Sequence, residues 1–351
     1  MNLETPNTSQ DLVPSGSPLT MEIAGQAANG YAARGAFNDY HSRKADNTLR
    51  RHRADLDLFA TFLAAAGIPD TPAGEALYSD AASWHGVTWG LVEAFRNWML
   101  LQAYAVASVN ARLSTVKLYA KLATKAGSLD PSELAMIRMV TGYRAEEAVR
   151  IDARRDQTRR IDAKKAAAVT ITPQQAKKLK KQPNTPQGRR DAVLMTLLLD
   201  HGLRVGEVAA LQVGDVNVEA GTLVFYRPKV NLTQTHRLTK DAKHAMRAYI
   251  EAGDAPAVGP LLRASASGSR LTHAGVSVRN LSERVRTLGA LIGIEGLSAH
   301  DCRHFWATAA ARQGTPIDRL KDAGGWKSVT MPLHYIERSQ IANEGVILDP
   351  D

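Results

Sequence analysis

The chain has 351 residues, of which 44% are hydrophobic and 23% charged, and this size predicts two globular domains rather than one. Its single cysteine, Cys302, excludes an internal disulfide framework and a thiolate zinc site, and favours a reducing environment. The first twenty residues lack a basic start and an apolar core, and no stretch approaches the roughly 18 apolar residues of a membrane helix. We therefore expect a soluble, cytoplasmic protein.

Basic charge is concentrated near the middle of the chain. The net charge is +9, and residues 144–190 hold fourteen Lys and Arg against five Asp and Glu, a surplus equal to that of the whole chain. Such a run can be a solvated linker helix. Between two domains it is equally suited to bind DNA phosphates, so both interpretations stay open.

The first half of the chain is predicted to be helical. Residues 1–40 are small and polar with weak periodicity, which predicts a flexible arm. A helical domain over residues 41–155 and a basic linker over residues 156–171 follow, and the Trp and Phe side chains of the domain are expected in its core because they lie on apolar stripes. The helix signals are Thr48–Ala66, Thr88–Ala103, a cap at Ser108, and a cap, proline and glutamate from Asp130.

Residues 172–351 are predicted to form a mixed α/β domain, so that the fold class is mainly α with one small antiparallel sheet. The segments Thr222–Tyr226 and Thr235–Leu238 alternate around a polar loop and predict a β-hairpin. The helix signals are a cap at Thr172, the apolar run Ala192–Asp200 before Gly202, the cap Ser298 with Asp301, and Thr315-Pro316 with Asp318.

Four segments of this second domain carry residues suited to phosphate chemistry. Each alone has an ordinary explanation, as a surface ion pair, a solvated histidine or a packed tyrosine. Their occurrence together, in one domain of a basic protein, makes the set informative. In chain order the segments hold Arg204 and Glu207, the hairpin residue Lys229, His300 and Arg303, and finally Trp326 and Tyr335.

The ordered set resembles the catalytic pattern of the tyrosine recombinase and integrase family. That pattern is an Arg with an acidic residue three positions later, a hairpin Lys, His-x-x-Arg, a His or Trp, and a Tyr. The Gly-Gly-Trp segment ending at Trp326 resembles Cre-type members, as do the 23 residues from Arg303 to Trp326 and the nine from Trp326 to Tyr335. The resemblance is motif-specific from Thr172 onward and covers only helical character before it.

The resemblance implies metal-free chemistry at a DNA phosphate, without a cofactor. Arg204 and Arg303 would clamp the non-bridging oxygens, since guanidiniums offer fixed bidentate donors that stay charged. Such preorganised charge can do the work of a metal ion. His300 and the indole N–H of Trp326 would add donors to the same phosphate.

Further roles are implied for the remaining residues. Glu207 accepts hydrogen bonds only and would orient an arginine or histidine. Lys229 would protonate the leaving 5′ oxygen, with Lys240 as the alternative general acid. Tyr335 would be the nucleophile that forms a 3′-phosphotyrosyl bond. His304 is expected to be a structural histidine.

The implied partner is double-stranded DNA with inverted repeats, bound by a homodimer on one site and a homotetramer in the synapse. The apolar tail residues would pack on a neighbouring protomer, or on their own chain. A type IB topoisomerase and a non-catalytic DNA-binding derivative are the alternatives. The tail and Trp326 disfavour the first, and the complete catalytic set disfavours the second. The tail residues concerned are Ile341, Val346, Ile347 and Leu348.

Overall fold

The computed structural model describes residues 20–155, 161, 169–266 and 270–339. Its contacts divide the chain into two compact units, Met1–Ala166 and Ala167–Asp351. The described residues are mainly helical, and their strands all lie in short antiparallel sheets of the second unit, which confirms the predicted fold class. Within the described ranges, no helix combines the length and the apolar character that crossing a membrane requires.

The first unit is a set of helices packed around an aromatic core. The ring of Phe59 lies 5.0 Å from that of Phe95 and 6.0 Å from that of Trp84, and all three side chains are fully buried. Trp89, in contrast, is 40% exposed, so the expectation of a core position is wrong for this residue. The helices are α1 (Met21–Arg34), α2 (Ala36–Ser42), α3 (Asp46–Ala65), α4 (Gly74–Ser79), α5 (Trp89–Leu101), α6 (Val106–Lys125), α7 (Pro131–Met139) and α8 (Ala145–Ala153).

Two predictions for the first unit are corrected. Residues 21–40 are helical rather than a flexible arm: the Thr20 side chain accepts the N–H of Ile23, and alanine-rich sequence supports the helix that follows. Helix α6 begins at Val106 without a side-chain cap, so Ser108 lies inside the helix instead of capping it. Residues 1–19 and most of the predicted linker lie outside the described residues.

The second unit combines eight described helices with two small sheets. Strands β2 and β3 form the predicted hairpin, and their pairing extends from Thr222–Arg237 to Arg227–Leu232, which leaves residues 228–231 as the turn. The two-stranded sheet was not predicted, because its strands are short and alternate weakly. The elements are α9 (Pro173–Lys180), α10 (Pro186–Leu199), α11 (Val205–Ala210), β1 (Val216–Asn217), β2 (Thr222–Arg227), β3 (Leu232–Arg237), α12 (Lys240–Glu251), β4 (Arg263–Ser265), β5 (Leu271–Gly275), α13 (Val278–Ala290), α14 (Ala299–Arg312), α15 (Ile317–Gly324) and α16 (Thr330–Ser339).

Local capping starts several helices of this unit. Thr172 accepts the N–H of Gln175, whose side chain accepts the N–H of Thr172 in return, and α9 begins there as predicted. Ser298 and Asp301 form the same reciprocal pair at the start of α14. Helix α15 follows Pro316 without a side-chain cap, so the cap predicted at that position is absent.

Candidate active site

Arg204 and Glu207 are in direct contact at the start of α11. The backbone N–H of Arg204 donates to Glu207 Oε2 at 2.8 Å, and Nη1 donates to Glu207 Oε1 at 2.8 Å. Glu207 is 5% exposed, whereas the Arg204 side chain is 27% exposed. A buried carboxylate therefore fixes an arginine whose guanidinium still reaches the surface.

Arg303 lies on α14, whose first turn is fixed by the buried Asp301. Asp301 Oδ1 accepts the N–H of Val169 at 2.9 Å, which adds to the capping contact with Ser298. Arg303 is 3% exposed and donates to two backbone carbonyls, those of Gly202 and Gly324. Burial, and secondarily the charge of Arg204, lowers the Arg303 pKa to about 9, so the guanidinium remains charged at neutral pH.

Trp326 and Tyr335 lie together in a group of aromatic rings. The Trp326 ring lies 4.6 Å from Arg303 Cζ and 5.6 Å from the Tyr335 ring. Tyr335 is 1% exposed, and the ring of His304 lies 5.1 Å from it on α14. The structure therefore brings Arg303, Trp326 and Tyr335 together, and it buries the tyrosine.

The turn before Trp326 requires glycine. Gly325 ends α15 with φ +59°, in the left-handed region that favours glycine. A Cβ there would lie 2.5 Å from Arg227 Cδ. The Gly-Gly pair thus lets the backbone approach the interior closely, and it places Trp326 beside Arg303.

His300 and Lys229 complete the predicted set. His300 Nε2 lies 3.1 Å from His304 Nε2. Partial desolvation lowers the pKa of His300, and the positive charges of Arg303, Arg204 and Lys229 add to this effect. Lys229 lies in the exposed turn between β2 and β3, and its ammonium makes no hydrogen bond or ion pair with the residues that the structure describes. The charge of Lys229 therefore acts on His300, but no hydrogen bond or ion pair with the described residues fixes its side chain in the site.

Arg227 was missed by sequence reasoning, although it is fully buried beside the predicted residues. Its Nη1 donates to both oxygens of Glu207 at 3.2 and 3.0 Å, and Nη2 donates to the Ala323 carbonyl at 2.8 Å. The alternation of β2 held a signal, since Leu223, Phe225 and Arg227 share its buried face. Burying an arginine is costly unless its charge is paired or hydrogen-bonded, and Glu207 was available as a partner.

The arrangement concentrates positive charge, with Arg204 partly exposed and Arg303 buried. Arg204 is oriented by a carboxylate, while Arg303 is held by two backbone carbonyl oxygens. Both features suit a phosphate group, which guanidiniums bind in bidentate fashion. No group of three or more His, Cys, Asp or Glu side chains suited to a metal ion occurs in the described part of the chain.

Comparison with known proteins finds similarity to phage integrases and to tyrosine recombinases. Residues 169–340 match the phage integrase family. The chain is 24% identical over 303 residues to the tyrosine recombinase XerC of Herpetosiphon aurantiacus, covering 82% of this chain and 84% of that protein. It is 26% identical to XerC of Roseiflexus castenholzii, covering 82% of each chain. The chain is thus similar to XerC-type tyrosine recombinases over most of its length, and to the phage integrase family over residues 169–340.

Solved structures show the same fold. A lambda integrase dimer bound to a COC′ core site superposes with a TM-score of 0.55 at 17% identity, covering 90% of this chain and 95% of that one. The Tn1549 transposon integrase in complex with circular intermediate DNA gives a TM-score of 0.53 at 13% identity, covering 80% and 94%. At these identities the likeness concerns the fold alone.

Proposed function

We propose that the chain is a site-specific DNA recombinase that cleaves and rejoins strands through Tyr335. The observation that carries the proposal is the pair of anchored guanidiniums. Glu207 orients Arg204, and the carbonyls of Gly202 and Gly324 orient Arg303. The Trp326 ring covers the Arg303 guanidinium, and the Tyr335 ring lies 5.6 Å from that of Trp326. The nucleophile and the clamp thus belong to one contiguous group of side chains.

In the proposed cleavage step, a phosphoryl group is transferred from the 5′ oxygen of the DNA to Tyr335. Tyr335 Oη bonds to the phosphorus and loses its proton to solvent, and the bond from phosphorus to the 5′ oxygen breaks. A proton from the general acid neutralises the leaving oxygen. Arg204 and Arg303 stabilise the charge that grows on the non-bridging oxygens, with His300 and Trp326 as further donors. Because the 3′-phosphotyrosyl bond stores the energy of the broken bond, religation needs no ATP.

Lys229 is the proposed general acid. It lies in the β2–β3 turn, and its charge acts on His300, whereas Lys240 is the first residue of α12. The turn that carries Lys229 follows Arg227 directly. The hairpin is therefore anchored in the site at Arg227, while Lys229 itself is exposed. These two observations favour Lys229 over Lys240.

Tyr335 cannot attack DNA from the position that it occupies here, since it is 1% exposed. We therefore infer that DNA binding moves α16, or the side chains that cover it.

The proposed partner is double-stranded DNA with inverted repeats, bound as a dimer and paired as a tetramer. Lambda integrase is described as a dimer on a core site and as a tetramer on a Holliday junction, which supports the same assembly here. The predicted tail contacts fall on residues 341–348, outside the described residues. The particular likeness to Cre rests on Trp326 and its spacing, and it too remains a proposal.

The experiment traps the covalent intermediate. A DNA duplex is first selected from a random pool by its binding to the full chain. It is then nicked, so that cleavage releases a short fragment that carries the 5′ hydroxyl. Because this fragment diffuses away, religation is prevented. We expect a protein–DNA adduct on a denaturing gel, formed in excess EDTA and without ATP. Tyr335→Phe should bind the duplex but form no adduct. An adduct with the Phe variant, or one that requires added magnesium, would contradict the proposal.

A further inference from the structure

Arg227 touches the anchor of each arginine in the proposed clamp. It shares Glu207 with Arg204, because Nη1 of both arginines donates to that carboxylate. It also binds the carbonyl of Ala323, next to the Gly324 carbonyl that accepts from Arg303. One fully buried guanidinium therefore joins the supports of two catalytic side chains.

The Arg227 side chain also fixes the base of the β2–β3 hairpin, whose turn carries Lys229. Arg227 is the last residue of β2, two positions before Lys229, and its Nε donates to Gln234 Oε1 on β3. Gln234 Nε2 in turn donates to the carbonyl of Asp322 at 2.6 Å. The two strands of the hairpin and the end of α15 are thus tied together around Arg227.

We infer that Arg227 is a positioning residue for the proposed cleavage reaction. It holds Arg204, Arg303 and the β2–β3 hairpin that carries Lys229 in fixed relative positions. This inference rests on the proposed function. Stability alone gives a weak reason for such a residue, since a well-packed apolar pair often stabilises a protein as well as a buried ion pair does. A guanidinium, unlike an apolar side chain, can hold a carboxylate, an amide and a carbonyl in fixed directions at once.

Arg190 provides a matched control in the same unit. Its side chain is 3% exposed and pairs with Asp191 at 2.7 Å. Nη1 donates to the Arg263 carbonyl at 3.0 Å and to Ser265 Oγ at 2.5 Å. It is thus a buried arginine with a carboxylate, a carbonyl and a polar side chain as partners, but none of these partners belongs to the proposed site.

The test compares Arg227→Met with Arg190→Met in single-turnover cleavage of the nicked duplex, with rates expressed per folded molecule. We expect about a 100-fold loss for Arg227→Met, because a small misplacement of catalytic groups costs that much. Arg190→Met should cleave at the wild-type rate per folded molecule. If Arg227→Met also cleaves at that rate, Arg227 is merely structural and the inference is overturned.

A second readout separates positioning of the clamp from a general loosening of the site. One non-bridging oxygen of the scissile phosphate is replaced by a methyl group, in each stereochemical form, which removes the charge that the arginines stabilise. The loss caused by Arg227→Met should shrink on this substrate, as should that of Arg204→Ala. A loss of equal size on both substrates would overturn the inference.

Gln234→Ala keeps the test decisive if Arg227→Met does not fold. It preserves the pair of Arg227 and Glu207 but removes the tie to the Asp322 carbonyl. We expect a smaller rate loss that again shrinks on the methyl-substituted substrate; a wild-type rate would count against the inference. If the wild-type chain forms no adduct at all, the proposed function fails, and this outcome is distinct from failure of the positioning role.

Discussion

A buried aromatic cluster of the first unit and the candidate site of the second unit differ in charge. In the first unit, His41 stacks on Tyr78 with ring centroids 4.1 Å apart, and its Nε2 lies 2.9 Å from Tyr119 Oη. Burial, with the nearby charge of Arg51, lowers the pKa of His52 in the same cluster to about 4. At neutral pH this cluster is therefore made of uncharged rings.

The second unit buries guanidiniums instead. Arg227 and Arg303 are 0% and 3% exposed; Arg227 is held by Glu207 and one backbone carbonyl, and Arg303 by two backbone carbonyls. Burial lowers the pKa of Arg303 only to about 9, so it stays charged where a histidine would be neutral. Buried charge is costly for stability. The ring cluster thus contributes uncharged packing, whereas the candidate site maintains buried positive charge.

The largest effect on cleavage is expected from removing either of the two arginines proposed to clamp the phosphate. Arg204→Ala and Arg303→Ala should each slow cleavage by about 10²–10³, which is the loss typical of one preorganised donor. DNA affinity should change little, and the salt slope of binding should fall by no more than about 0.9. Single-turnover rates and gel-shift isotherms at several salt concentrations measure both.

Arg247→Ala is the control for these variants, because its side chain is 45% exposed on α12 and pairs with Glu219. It should cleave at the wild-type rate. If Arg204→Ala or Arg303→Ala folds normally but loses most of its DNA affinity, the side chain acts in binding, and the clamp assignment is wrong.

Gly325→Ala tests how strongly Arg227 constrains the turn beside it. Left-handed backbone costs a residue with a Cβ about 1–2 kcal/mol, and overlap with the Arg227 side chain should add about 1–3 kcal/mol. Gly293→Ala is matched in backbone, with φ +78° and no atom of the described residues within 4 Å of its Cβ. Urea unfolding gives both free energies; equal losses would mean that the Arg227 contact does not constrain the turn.

The smallest effect is expected in the first unit, from His52→Gln. Since burial depresses the folded pKa of His52 to about 4, the unfolded chain binds the proton first as pH falls below about 6.5. Stability should therefore decrease on acidification, by on the order of 1 kcal/mol between pH 7.5 and 5.5 from this residue. The variant should flatten that decrease, whereas His85→Gln, at an exposed position, should not. Urea midpoints across this pH range decide between them.

Sequence predicted those features of the molecule that are local. The reciprocal caps at Thr172 and Ser298 depend on residues three positions apart, and both helices begin there. The β2–β3 hairpin follows from alternation around a short polar turn. Helix α1 was missed because its small residues give no apolar stripe, although alanine favours helix without one.

The architecture of the site could not be predicted in the same way, because its contacts are distant in the chain. The hydrogen bond from Arg227 to Ala323 spans 96 residues, and that from Arg303 to Gly202 spans 101. A motif identifies arginines by their order but does not say which carbonyls hold them. The burial of Tyr335 was likewise absent from the pattern, since it depends on how α14 and α16 pack.

The most direct test of the proposed mechanism identifies the residue that bonds to DNA. The trapped adduct is digested with nuclease and trypsin and sequenced by tandem mass spectrometry; residues 328–338 form one tryptic peptide, and Tyr335 is its only tyrosine. We expect a nucleotide joined through its 3′ phosphate to Tyr335 Oη of this peptide. A nucleotide attached to any other side chain would contradict it.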